Sequence, residues 1–201
     1  MAIKILGGKA KGLALEVPKG DEVRPTSVML RRKIFDAHQD LSGVHFIDLC
    51  AGTGAMGAEA LSRGANSVMC IEGNKKVSNY LKRNFSSLER SGLDLEKVLI
   101  QTQKAEKWIS QFELLYSHWE VERKLNTVIF FDPPYELKGL YKLIIEEVLE
   151  KHWFIGELWL ESDEQKGVKQ KDLLDLTIME AKKFYRQGTS YIALYDCSSR
   201  A

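Results

Sequence analysis

The sequence predicts an α/β fold built on a mostly parallel sheet of seven strands, with helices on both faces, one antiparallel edge strand and a β-hairpin/helix extension in front. Three observations predict it. Beyond about residue 40, apolar strand-like runs alternate with helix-like periods. Alternation of this kind puts helices on both faces of the sheet. The first run also leads straight into a glycine-rich turn and then a helix. The chain has 201 residues, which suits one domain with a small appendage.

The extension occupies residues 1–40. Two short apolar runs at 3–6 and 13–16 flank Gly7, Gly8 and Gly12 and read as a hairpin. Arg24-Pro25-Thr26 then precedes a helix running to about His38, with Thr26 as its cap. In the main domain, 41–201, strands are expected at 44–49, 67–72, 98–102, 127–131, 157–161, 176–180 and 191–195. Amphipathic helices are expected at 55–63, 74–90 and 138–150; the second places Val77, Leu81, Phe85 and Leu88 on one face. Segment 111–126 reads as the end of a helix plus a connection. The last three strands are poorly separated by helix, so an antiparallel hairpin is expected at the sheet edge.

Composition sets further bounds. Apolar residues make up 44% and charged residues 28%, which excludes disordered and collagen-like chains. Cys50, Cys70 and Cys197 form no CxxC pair, and two of them sit in apolar runs, so reduced core thiols and a cytoplasmic location are expected. Neither a signal-peptide core nor an apolar run long enough to span a bilayer is visible. The four histidines are scattered without ligand spacing, so no metal is expected. The net charge is +1, but residues 1–36 hold eight Lys/Arg against four Asp/Glu, which concentrates basic charge at the front.

Two constellations carry chemistry. The first is the strand-turn-helix passage with Asp48, Ala51, Gly52, Thr53 and Gly54, followed by Glu72, Gly73 and Asn74 after the next strand. Glycines let the backbone approach a ligand, and the helix start offers free N–H groups. Gly52, Gly54 and Gly57 satisfy the GxGxxG spacing of nicotinamide enzymes, but Asp48 decides against a pyrophosphate. A carboxylate there favours a cationic ligand, so S-adenosyl-L-methionine fits better than NAD. Glu72 then accepts from the ribose hydroxyls. The second constellation is Asp132-Pro133-Pro134-Tyr135, where two prolines end an apolar strand. This stiff turn presents the Asp132 carboxylate, the Pro133 carbonyl and the Tyr135 ring, which suit an exocyclic amine on a planar base.

Asp48-Leu49-Cys50-Ala51-Gly52-Thr53-Gly54 followed by Asp132-Pro133-Pro134-Tyr135 resembles the class I S-adenosylmethionine-dependent methyltransferases of exocyclic amines, with their Rossmann-like sheet. More narrowly, Leu6-Gly7-Gly8, Lys11-Gly12, Arg24-Pro25-Thr26, Arg31, Leu160-Glu161-Ser162 and Arg186-Gln187-Gly188-Thr189 resemble the bacterial 16S ribosomal RNA guanine-N2 methyltransferases across nearly the whole chain. Arg31-Arg32 and Asp36 depart from the family's usual Arg-Glu and Asn, and Gln103-Lys104-Ala105 from its Asn/Asp-Ala pair.

The resemblance implies methyl transfer to guanine N2 of ribosomal RNA, free or within a partly assembled small subunit. Asp132, Pro133, Pro134 and Tyr135 would be catalytic. Lys9, Lys11, Arg24, Thr26, Arg31 and Arg32 would dock the RNA through phosphates. The alternatives are an amino-methyltransferase of DNA or protein glutamine, and an inactive RNA-binding assembly protein.

Overall fold

The computed structural model describes residues 3–18 and 26–201; Arg24 of the expected docking set lies outside them. Strand β1 (Ile3–Lys4) pairs antiparallel with β2 (Ala14–Leu15), and α1 (Val28–Ala37) follows. The main domain then runs β3 (His45–Leu49), α2 (Ala55–Ser62), β4 (Ser67–Ile71), α3 (Lys75–Leu88), β5 (Val98–Gln101), α4 (Ala105–Ser117), α5 (Val121–Leu125), β6 (Thr127–Phe131), α6 (Lys138–Ile145), β7 (Glu157–Asp163), α7 (Gln170–Leu173), β8 (Lys183–Gln187) and β9 (Ser190–Asp196). The seven-stranded sheet has the order β5-β4-β3-β6-β7-β9-β8, parallel from β5 through β7. The β8–β9 hairpin closes one edge, with β9 antiparallel to both of its neighbours.

Strand period sorts the core into two layers, because successive side chains point to opposite faces. Phe46, Val68, Cys70, Val128, Phe130 and Trp159 pack with α1, α2 and α3. Ile47, Leu49, Ile71, Ile129, Phe131 and Leu160 pack under α4 and α6. The extension belongs to the first layer: Ile3, Ile5, Leu15, Leu30, Ile34 and Phe35 are all buried in it. Buried polar contacts fasten it as well. Glu59 on α2 accepts the Leu6 N–H at 2.7 Å, Arg63 after α2 donates to the Phe35 carbonyl at 3.1 Å, and the Ser62 hydroxyl accepts the Ala10 N–H at 2.9 Å.

Four expectations need correction. Segment 176–180 is a loop, with the Thr177 N–H donating to the Leu173 carbonyl at 3.1 Å; the strand lies further on, at Lys183–Gln187. The cap of α1 is Ser27, whose hydroxyl accepts the Leu30 N–H at 3.1 Å, and Thr26 is turned to another task. Helix α4 does end at Ser117, but the connection after it carries the short helix α5. Past Ile145, α6 loosens into a π-turn, Glu146–Glu150.

Arg31 is also misplaced as an RNA ligand. It is 1% exposed, and its guanidinium donates to the Lys4 carbonyl at 2.6 Å, so it is a buried strut between α1 and the hairpin. Burial lowers its pKa, opposed by the charge of Glu59.

Candidate active site

The residues after three neighbouring strands converge. Leu49 at the end of β3 is in register with Ile71 of β4 on one side and Phe131 of β6 on the other. Cys50, Glu72 and Asp132 therefore leave the sheet at one level. The chain order reverses between β3 and β6. Such a switch point opens a crevice at the carboxyl ends of the strands. A cleft of about 940 Å³ lies there, lined by Asp48, Ala51, Gly52, Thr53, Glu72, Gly73, Asn74, Asp132, Pro133, Pro134 and Tyr135, the whole expected catalytic and cofactor set except Gly54.

Local geometry explains the turn. The Cys50 and Ala51 N–H groups both donate to the Ile71 carbonyl, at 3.1 and 2.8 Å, and the Gly54 N–H donates to the Ala51 carbonyl at 2.8 Å. Gly54 precedes α2 at φ 86°, and a Cβ there would lie 2.4 Å from Leu81 Cδ1 and 2.8 Å from Phe85 Cε2. Gly54 is thus needed for close packing against α3 rather than for lining the cleft. Cys50 also adopts a left-handed conformation, φ 75°, which a non-glycine residue takes at a cost of about 1–3 kcal/mol. Asn84 ties the pieces together: its amide donates to the Thr53 carbonyl at 2.9 Å and the Glu16 carbonyl at 3.0 Å, and accepts the Glu16 N–H at 2.7 Å.

Each carboxylate is fixed. Asp48 is 2% exposed, and its Oδ2 accepts the Gly57 N–H at 2.9 Å. Burial pushes this carboxyl up to about 7; the Gly57 N–H opposes the shift, and the charges of Asp132 and Glu72 add to it. Glu72 accepts the Gly52 N–H at 2.8 Å through Oε2 and the Asn74 N–H at 2.7 Å through Oε1. Burial raises it too, against the N–H groups of Asn74, Gly52 and Gly73. Both Glu72 oxygens keep a second lone pair. The Asn74 side-chain oxygen caps α3 by accepting the Lys76 and Val77 N–H groups at 2.9 and 3.2 Å, so its part in the cleft falls to its remaining atoms.

At the proline turn, the Pro134 carbonyl accepts the Leu137 N–H at 2.9 Å, whereas no backbone hydrogen bond among the described residues uses the Pro133 carbonyl. The Tyr135 ring is 5% exposed and forms a wall of the cleft. The Thr26 hydroxyl donates to Asp132 Oδ2 at 3.3 Å. Of the described members of the expected docking set, Thr26 alone lines the cleft. Arg32 is exposed on α1, Lys11 is exposed on the hairpin, and Lys9 donates to the Gly92 carbonyl beyond the far end of α3, at 2.5 Å. Cleft residues missing from the expected site include Met56, Glu106 and Lys166. No sequence signal marks Lys166: only the pairing of β7 beside β6 brings the residues after it to the proline turn.

Comparison with known proteins agrees with this geometry. The chain is 27% identical to ribosomal RNA small subunit methyltransferase D of Escherichia coli over 83% of this chain and 77% of that protein. A hypothetical protein structure from Thermus thermophilus matches with a TM-score of 0.69 and 25% identity, over 96% of this chain and 99% of that one. An RNA methyltransferase of Salinibacter ruber, solved with S-adenosyl-L-homocysteine, matches in fold with a TM-score of 0.53 at 13% identity, over 87% of this chain and 94% of that one. With a Rossmann-like methyltransferase sheet and a match spanning residues 3–196, the chain belongs to the family described as conserved hypothetical protein 95.

Proposed function

We propose that this protein is an S-adenosyl-L-methionine-dependent methyltransferase that modifies the exocyclic N2 amine of a guanine in small-subunit ribosomal RNA. It would act in the cytoplasm on RNA that is free or held in a partly assembled subunit. One observation carries the reading: the glycine turn with Asp48 and Glu72, and the Asp132-Pro133-Pro134-Tyr135 turn, line a single cleft. The residues fit the cofactor. The buried carboxylate of Asp48 and the half-buried one of Glu72 suit a ligand that carries a cation and a diol, and the cleft volume suits a nucleoside together with a base.

When bound, the cofactor supplies a methyl group already activated on a cationic sulfur. Glu72, held by two N–H groups, accepts from the ribose hydroxyls, and Asp48 offers negative charge to the cation. Asp132 and the Pro133 carbonyl accept the two N–H bonds of the amine and favour the pyramidal nitrogen whose lone pair can attack. Attack by that lone pair on the supplied methyl group would leave a neutral sulfide and a nitrogen with one proton too many. The extra proton on nitrogen then passes to Asp132. A guanine amine is hard to reach inside a paired helix, so the base enters turned out of its stack, against the wall formed by Tyr135.

The test is transfer of labelled methyl from the cofactor to ribosomal RNA taken from cells lacking this protein, with the modified nucleoside identified. N2-methylguanine at one position is expected. Asp132→Ala should lose turnover by about 10²-fold while keeping most cofactor affinity. Label in DNA or protein, or near-wild-type turnover by Asp132→Ala, overturns the reading.

A further inference from the structure

The cleft poses an electrostatic problem for a polyanionic substrate. Five of its lining residues are acidic: Asp48, Glu72, Glu106, Asp132 and Glu136. Two are basic, Lys104 and Lys166. Lys104 lies on the β4–β5 side, with its Cα and Cγ each 3.6 Å from where a Cβ on Gly73 would sit, beside the carboxylate assigned to the cofactor. With the cofactor assigned to the β3–β4 side, the phosphates flanking a base at Asp132 would lie on the β7 side, where Lys166 is the one described lining cation.

The loop that carries Lys166 is tightly built. Asp163, the last residue of β7 and 4% exposed, accepts the Gln165 and Lys166 N–H groups through Oδ1 at 2.9 and 3.0 Å. Its Oδ2 accepts the Thr189 and Ser190 hydroxyls at 2.7 and 3.0 Å, which pins the loop to the β8–β9 turn. The Ser162 hydroxyl accepts the Val168 N–H at 2.9 Å. Gly167 lets the loop pack closely on β7, since a Cβ there would lie 2.3 Å from Ser162 Oγ. On this fixed backbone the Lys166 side chain is exposed, and its ammonium is engaged in no ion pair or hydrogen bond with a described residue. A rigid loop that presents an uncommitted cation beside a catalytic turn is a preorganised anion contact.

We propose that Lys166 is a phosphate-binding residue at the rim of the active-site cleft, holding the RNA backbone beside the guanine that enters it. This inference rests on the function proposed above and adds to it a substrate contact outside the N-terminal extension. A phosphate contact positions the strand without reading its sequence. It also releases counterions, so its loss lowers the salt slope of log affinity by about 0.7 for single-stranded or 0.9 for duplex RNA.

The experiment measures binding of an unmodified small-subunit ribosomal RNA transcript to protein saturated with S-adenosyl-L-homocysteine, across a salt series. Lys166→Gln should weaken binding about five- to eightfold at 0.1 M salt and flatten the slope by about 0.7–0.9. Lys166→Arg should restore both. Lys97→Gln removes the same charge from the turn before β5, at the opposite end of the strands, and should behave as wild type. Cofactor affinity should be unchanged in all of them. If the wild-type protein binds and methylates this RNA but Lys166→Gln keeps its slope and affinity, or Lys97→Gln loses as much, the Lys166 assignment is overturned and the proposed function stands. A wild-type protein that neither binds nor methylates the RNA, whether as transcript or within a partly assembled subunit, overturns both.

Discussion

Asp48 illustrates how a single residue trades stability for binding. Its carboxyl titrates near 7 in the folded chain, well above the value of about 3.9 for an exposed Asp. An acid raised on folding costs stability as pH climbs from the unfolded value through the folded one, and above about 7 the full cost is present. Asp48→Asn should therefore raise the melting temperature of the ligand-free protein at pH 8 and leave it little changed at pH 4. The same substitution removes the negative charge proposed to face the cofactor's cation, so calorimetry at pH 8 should show weaker S-adenosyl-L-methionine binding. In the wild type, that affinity should fall as pH drops below 7, because binding must then expel a proton. A variant no more stable than wild type at pH 8 would show that Asp48 is not strained by burial. Arg31 makes the opposite case, a charge that sequence assigns to the surface and packing puts inside. Arg31→Ala leaves the Lys4 carbonyl without its donor, a loss of about 1–3 kcal/mol before any cavity term. Denaturant melts should show that loss, and the salt slope of RNA binding should not move.

At the scale of elements, Thr26 links the extension to the chemistry. Its hydroxyl reaches Asp132 from the residue before the α1 cap, so the helix that begins there is registered against the carboxylate proposed to be catalytic. Thr26→Val keeps the shape and removes the donor; turnover should fall while cofactor affinity holds, and Thr26→Ser should recover the turnover. Equal loss in both variants would mean that the methyl packing matters and the hydrogen bond does not. The sequence made the central elements legible because the buried strands β3, β4 and β6 are short apolar runs with sharp ends, and the glycine and proline turns follow them directly. It misled at the edge. In 176–180 the alternation Leu-Thr-Ile-Met reads as a strand, yet Ile178 is 90% exposed there and the backbone closes on α7. Lys183–Gln187 reads as polar because β8 is the last strand of the sheet and has only β9 beside it. Similarly, the site's backbone turns and carboxylates were visible from spacing, whereas Lys166 was not, since only the β6–β7 register brings its loop to the cleft.

For the whole molecule, the consequence is that the hairpin and α1 are part of the domain's core rather than a detachable docking arm. Ile3, Ile5 and Leu15 are 7%, 2% and 1% exposed, and they cover the same layer that α2 and α3 cover. Each such side chain contributes about 1.5–3 kcal/mol on burial, and a domain's total stability is only about 5–15 kcal/mol. Removing the hairpin also strips the Leu6 N–H from the buried Glu59 and the Lys4 carbonyl from Arg31, so charged groups lose partners inside the protein. The hairpin also holds one wall of the cleft, because Asn84 joins Glu16 to the Thr53 carbonyl in the glycine turn. Deletion of residues 1–18 should therefore abolish cooperative unfolding or shift the guanidinium midpoint far down, and cofactor binding should fall with it. Charge reversal is the milder probe of the same region. Lys11→Glu leaves the packing intact and should alter RNA affinity without altering the midpoint if the exposed face of the hairpin meets phosphate. A truncated chain that unfolds cooperatively at the wild-type midpoint and binds cofactor normally would show that the extension is peripheral after all.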